Sequence, residues 1–390
     1  MWTARVRTAN HELTDPFLFS ELVLVERYGP PDSLIITGQI EDLRPAFDPP
    51  SGVMVWDDAG QMRFSGVPPQ NPKLKVERRG DRTATLTYEA DTVHLWDRIC
   101  WPTPAAAWNL QTTAYDVQTA VEETRIIGYI TRNAGSTAYN SGSNDRRVPH
   151  LRVPTTLGRG VSGKTSARFQ NLGQLVADLA EAADLRVTVK QTYTGLTPFL
   201  DVFIDSVPDM STLVQFGDAD TGNLGFLSEE WRYALGAGVS VVLSAAGGEL
   251  ENRLLTSSQD AIREGEWGRR TEFFIDQRDT TDAGEIAQGL TTAMAENAAT
   301  VEVEAPIITG DFTFGPDPGS IPVGAKVAVQ LDGELIIDRI RQITTTVAAR
   351  DDAAAVVVEP LFGTPDASLT IDQKILRRAL RRLINLERSL

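Results

Sequence analysis

Short apolar runs separated by turn residues fill the first quarter of the chain. Residues 21–26, 34–40, 53–56, 62–67, 74–77 and 83–88 read as strands, with Pro30-Pro31 and Pro49-Pro50 marking turns. Ala84, Leu86 and Tyr88 alternate with Thr83, Thr85 and Thr87, which predicts one buried and one solvated face. Strands at this spacing suit a small barrel or sandwich.

After Trp101-Pro102 the period changes. Val117, Ala120, Val121, Thr124 and Ile127 fall at helical spacing, and so do Leu172, Leu175, Val176, Leu179 and Ala183. Two amphipathic helices are expected, and residues 133–166 between them, rich in Gly, Ser, Asn and Arg, read as a long functional or mobile loop. Residues 185–189 and 199–204 add strands, making this section α+β.

Strand patterns resume at residues 239–243, 272–275, 301–304, 326–331, 335–340 and 356–358. One helix interrupts them: Asp282 and Glu285 have capping spacing, and Ile286, Leu290, Ala293 and Met294 form its apolar stripe. Residues 371–390 hold no Gly or Pro, and Thr370 and Gln373 have capping-box spacing, predicting a terminal helix about 30 Å long. Leu376, Leu383 and Leu390 recur every seven residues with Leu380 between them, a seam suited to a partner helix or to the parent domain.

Composition narrows the classes. A chain of 390 residues with 42% hydrophobic residues describes a folded, soluble, multidomain protein. Its net charge of −16 disfavours tight binding to a polyanion, although an acidic wall would let DNA slide past. The charge is polarised, because residues 371–390 carry +4 and the rest −20. No stretch has the length and apolarity of a transmembrane helix, and the start has no leader pattern, so cytoplasmic synthesis is expected. The lone Cys100, between Ile99 and Trp101, reads as a buried structural thiol, and no intrachain disulfide is possible.

Candidate chemistry centres on Gly158, Gly163, Lys164 and Thr165, which satisfy the phosphate-loop pattern. Taken alone they suggest a nucleotide-binding enzyme. The stretch before them contains Pro154 and two threonines, not a buried strand, and Gly158, Gly160 and Gly163 equally fit the dinucleotide pattern. A segment that fits two incompatible motifs behaves as a generic glycine-rich loop. Asp218, Asp220 and Glu229 fall at calcium-loop positions, but position six is Asn223, so a turn is favoured. His11-Glu12 begins a zinc-protease motif that Asp15 fails to complete. Arg146, Arg147, Arg152, Arg159, Lys164 and Arg168, with Asp145 the one acid among them, form a basic patch that is either a solvated loop or a docking surface for an acidic neighbour, including a second copy. No catalytic, cofactor or metal-binding residue is assigned.

The order of segments resembles the tail-hub proteins of long-tailed phages, in particular the minor tail proteins of actinobacterial siphoviruses, which are similar to the baseplate hubs of contractile phages. The landmarks are LTYEADTVHLWDRI at residues 86–99, ARFQNLGQL at 167–175, GNLGF at 222–226 and RTEFFID at 270–276 followed by the helix at Ile286. The resemblance implies a β-rich, α+β, multidomain chain with two small β-barrel hub domains at residues 1–110 and 211–365, an α+β middle domain at 111–210 and a C-terminal helix at 366–390. It further implies a homotrimeric, non-enzymatic hub at the tail tip of the virion, adapting the sixfold tail to a threefold tip. Its partners would be the distal tail protein ring, the tape-measure protein and tip or fibre proteins, with DNA only in passage. Interface residues are expected at Leu376, Leu380, Leu383, Leu390, Arg146, Arg147, Arg152, Arg159 and Lys164. The alternatives are a phosphate-loop nucleotide-binding enzyme, a tail-associated peptidoglycan hydrolase, and the hub of a phage-like contractile or secretion apparatus.

Overall fold

The structure is a computed structural model that describes residues 2–47, 51–70, 75–79, 81–141, 144–217, 225–227, 232–236, 238–248, 252–278, 281–297, 300–308, 312–331, 334–350 and 353–363. Strand residues make up 46% and helix residues 18%, so the β-rich α+β class holds. No described helix is long and apolar enough to cross a membrane.

The first section contains β1 (Thr3–Arg7), β2 (Leu13–Phe17), β3 (Glu21–Arg27), β4 (Ser33–Gln39), α1 (Ile40–Phe47), β5 (Gly52–Trp56), β6 (Met62–Val67), β7 (Lys75–Arg79), β8 (Asp81–Ala90) and the single turn α2 (Val93–Trp96). Alternation sets its faces as expected: Leu22 and Leu24 of β3, Leu34 and Ile36 of β4, and Ala84, Leu86 and Tyr88 of β8 are all buried in one core. Leu43 and Ala46 of α1 close over the same core.

The middle section contains β9 (Asp116–Val121), α3 (Glu122–Asn133), β10 (Asn140–Ser141), β11 (Asn144–Asp145), β12 (Leu151–Arg152), β13 (Ser162–Ala167), α4 (Leu172–Ala182), β14 (Leu185–Thr194) and β15 (Thr197–Ser206). The helical reading of residues 117–121 is corrected here. They form β9, in antiparallel register with β13 from Val121↔Ser162 to Asp116↔Ala167, and the helix begins at Glu122. Asp116 and Gln118 point inward while Val117 is exposed, so the strand's two-residue alternation carries polar groups on its buried side and escapes a hydrophobicity count. The long loop is likewise stitched down: Arg146 N donates to Tyr139 O, Val148 N to Ala134 O, and Val148 is buried.

The third section contains β16 (Gln215–Gly217), β17 (Gly225–Leu227), β18 (Arg232–Gly236), β19 (Val241–Ala246), β20 (Leu255–Gln259), α5 (Ala261–Trp267), β21 (Glu272–Gln277), α6 (Ala283–Glu296), β22 (Thr300–Ile308), β23 (Lys326–Leu331), β24 (Glu334–Arg350) and β25 (Ala353–Gly363). Six of these strands pair in a ring. β16 pairs with β17, β17 with β22, β22 with β25, β25 with β24, β24 with β23, and β23 with β16. Phe216, Val327, Val329, Ile340, Ile343 and Phe362 belong to the core beside this ring. β19, β20 and β21 form a separate three-stranded sheet rooted on the β18–β22 pair, with α6 on one face.

The first and third sections share one sheet, because β24 also pairs with β3 from Gln342↔Arg27 to Ala348↔Glu21. The middle section joins both. Arg7 and Asp91, buried to 1% and 0% exposure, make a two-pronged ion pair at 2.7 and 2.6 Å, and Arg7 also donates to Gln191 Oε1 of β14 at 3.0 Å. Val189 N donates to Thr92 Oγ1, and the Tyr28 hydroxyl to Leu185 O. On the other side Asp184, at φ 53, accepts from Lys326 and Arg339.

Candidate interaction surfaces

The glycine-rich loop does not have phosphate-loop architecture. In that architecture a buried strand enters the loop and a helix begins at its lysine, whereas here Lys164 and Thr165 lie inside β13. Gly158 and Gly160 take positive φ of 76° and 93°, which turns the backbone N–H groups onto the chain's own carboxylates. Leu157 N and Arg159 N donate to Glu123 Oε2 at 3.1 and 2.8 Å, and Val161 N donates to Glu122 Oε2. The loop is an anion cradle filled by the first two residues of α3. The side-chain hydrogen bond from Arg159 holds the Glu123 carboxyl below its ordinary range, against the desolvation that would raise it.

The six basic residues are separate contacts rather than a continuous cationic patch. Arg146 is buried, its guanidinium 3.9 Å from the Trp101 ring and donating to Ile99 O at 2.6 Å, and burial pushes its pKa down to about 10. Arg147 pairs with Asp145 at 2.8 Å. Arg152 grips both oxygens of Asp201 at 2.5 and 2.6 Å and stacks 3.9 Å over Phe199. Arg159 spans Glu123 and Ile204 O, each at 2.7 Å. Lys164 reaches Asp282 at 3.2 Å, tying β13 to the start of α6, and Arg168 lies 5.9 Å from the Tyr115 ring. The sequence shows only Asp145 nearby; folding supplies Asp201, Glu123 and Asp282. Arg147 and Arg152 remain 42% exposed.

Leu376, Leu380, Leu383 and Leu390 lie outside the described residues, as do Asp218, Asp220 and Glu229. Cys100 is fully buried, and desolvation pushes its thiol up to about 12, so it is a packing group.

Two surfaces stand out that sequence reasoning missed. One is an open groove of about 510 Å³ beside β15, lined by Arg152, Leu157, Arg159, Asp201, Phe203 and Asp205 among others. There the β12–β15 ladder stops at Arg152↔Asp201, leaving the outer edge of the last residues of β15 without a strand partner among the described residues. The other is the face of the three-stranded sheet turned away from α6. Val242, Ala246, Phe273 and Ile275 pack toward α6, so alternation turns Leu243 and Phe274 outward, where they are 39% and 55% exposed. The signal was the adjacent pair Phe273 and Phe274, because consecutive strand residues cannot share a face.

Solved structures share this fold. The 43 kDa tail protein of prophage MuSo2 from Shewanella oneidensis is similar with a TM-score of 0.52 at 13% identity, over 94% of this chain and 99% of that one. The tail protein from Neisseria meningitidis MC58 is similar with a TM-score of 0.51 at 12% identity, over 94% and 97%. No curated protein matches the sequence. The fold is the one these phage tail proteins have. The sequence model of the Siphovirus ReqiPepy6 Gp37-like protein family matches residues 47–364, and the chain belongs to that family.

Proposed function

We propose that this chain is the hub at the distal tip of a siphovirus tail, working as a homotrimer without a catalytic step. The observation that carries the reading is the shared sheet: the strand ring of the third section and the sheet of the first are joined edge to edge through β24 and β3. In this reading residues 1–110 and 211–365 are two barrel units standing side by side, so three copies place six units around one axis, matching a sixfold tail above and a threefold tip below. Residues 111–210 brace the two units through Gln191, which accepts from Arg7, and through Asp184, which pairs with Lys326, and residues 366–390 serve as a docking segment through their leucine seam.

The partners in this reading are the distal tail ring, the tape-measure protein and the tip or fibre proteins. DNA passes without specific contact, which the −20 charge of residues 1–370 favours by repulsion. Arg147 and Arg152, the most exposed of the predicted cations, are the basic contacts offered to a neighbour. Light scattering across a concentration series tests the assembly: a species near three times 42.6 kDa is expected. A monomer at every concentration, with or without the distal tail ring, overturns it.

A further inference from the structure

The three-stranded sheet β20-β19-β21 is covered by α6 on one side, and on the other Val241 and Ala245 are buried while Leu243, Leu255 and Phe274 are exposed. At the centre of the open face Leu243 and Phe274 are register partners, and Leu255, opposite Ala245, is 70% exposed. Charged clusters flank this centre. Asp276 binds Arg253 and Arg278 at one end, and Arg270 binds Glu264 and Glu272 at the other. An apolar centre inside a polar rim is the anatomy of a docking surface.

We propose that residues 371–390 dock on this face of their own chain. Three observations name that occupant. The first is position: β25 runs antiparallel to β22 and ends with Gly363 opposite Glu304, so the chain leaves the ring on the side of β22 where Thr300 lies and the three-stranded sheet is rooted. Thr300 lies four residues further along β22, about 13 Å. Residues 364–370 reach up to about 24 Å, enough to arrive at the sheet with chain to spare.

The second is charge. Residues 238–297 hold eleven acidic and five basic side chains, a net −6, and residues 371–390 carry +4. The third is the seam of Leu376, Leu380, Leu383 and Leu390, whose seven-residue repeat gives an apolar stripe to set against Leu243, Leu255 and Phe274. The docked segment covers a sheet face that is otherwise an exposed apolar patch. The proposal names the surface on which the leucine seam docks, its own chain, and it stands whether or not the chain forms a trimer.

Cysteine pairing in the full chain tests it. Ser257 is exposed on the open face beside Leu243, so Ser257→Cys is combined with Ala379→Cys in one protein and with Asn385→Cys in another. Cys100 is fully buried and stays out of the reaction. Under mild oxidation at least one pair is expected to form an intrachain disulfide, seen as a faster-migrating monomer on a non-reducing gel. Adding Leu376→Glu and Leu383→Glu should abolish it while thermal melts by circular dichroism remain those of a folded protein, and raising salt should slow its formation. A disulfide between two copies assigns the face to a second molecule and overturns the proposal; so does the absence of a disulfide in both proteins.

Discussion

Gly160 sits at φ 93° with Glu122 Oε2 only 2.2 Å from the place a Cβ would occupy. Both backbone and space exclude a side chain there, because the loop has closed on the α3 carboxylates. Gly160→Ala should therefore cost about 1–3 kcal/mol, read as a lowered midpoint in urea, whereas Gly158→Ala, with open space at its Cβ, meets only the strained φ of 76°. Equal losses at the two positions would show that the carboxylate contact is not what fixes Gly160.

Two carboxylates give the acid side of stability its sign. Arg159 holds the Glu123 carboxyl below its ordinary 4.5, and the hydrogen bond from Arg278 holds Asp276 at about 2 against an ordinary 3.8. The unfolded chain takes up these protons first as pH falls. The stability they contribute is complete above about 4.5 and is lost as pH drops through that value toward 2, so the urea midpoint should decline over this window. Replacing Glu123 with Gln should flatten part of that decline.

Among the elements, α4 shows what makes a sequence legible. Its Leu172, Leu175, Val176 and Leu179 stripe is apolar and buried, and Asn171 caps it by accepting from Gln174 N at 2.9 Å while donating to Trp96 O. Asn171→Ala removes both bonds and should cost at least the ~1 kcal/mol of a lost cap, measurable by thermal melting. A loss of a few tenths would mean water replaces the cap. α6 and the strands β3, β4, β5, β6 and β8 read equally well, since their buried faces are apolar, whereas β1, which buries Arg7, and β2, which is mostly exposed, went unread.

β9 misled because Asp116 and Gln118 occupy its buried side, where Arg132 and the helix face of α3 meet them. α1 went unread because it is short and carries Pro45, and α5 because no residue of it is buried and it ends at Gly268 in the left-handed region. The ion pairs of the basic residues were invisible for another reason. Asp201 and Asp282 are distant in sequence, and only the fold brings them to Arg152 and Lys164.

For the whole molecule, the Arg7–Asp91 pair fixes the place where the first section meets the middle one, because Arg7 also donates to Gln191. Both groups are removed from water, so deleting one strands the other. Asp91→Ala should destabilise by about 3–5 kcal/mol in chemical denaturation, while exposed Asp145→Ala, which frees Arg147, should change little. A small effect at Asp91 would mean that water reaches Arg7 once its partner is gone.

The pairing of β3 with β24 also sets a timetable for synthesis. One strand leaves the ribosome near the start of translation and its neighbour near the end, on the order of tens of seconds later at bacterial elongation rates. During that interval the outer edge of β3 has no strand beside it, and the nascent chain carries an apolar edge strand of the kind that recruits other chains. The strands of the middle section pair only with one another, so that section can form before the last strands are made, bringing Arg186 to Asp32 and Leu185 to Tyr28 at the end of β3. A half-made molecule is thus braced at that edge before the last strands arrive to cover it.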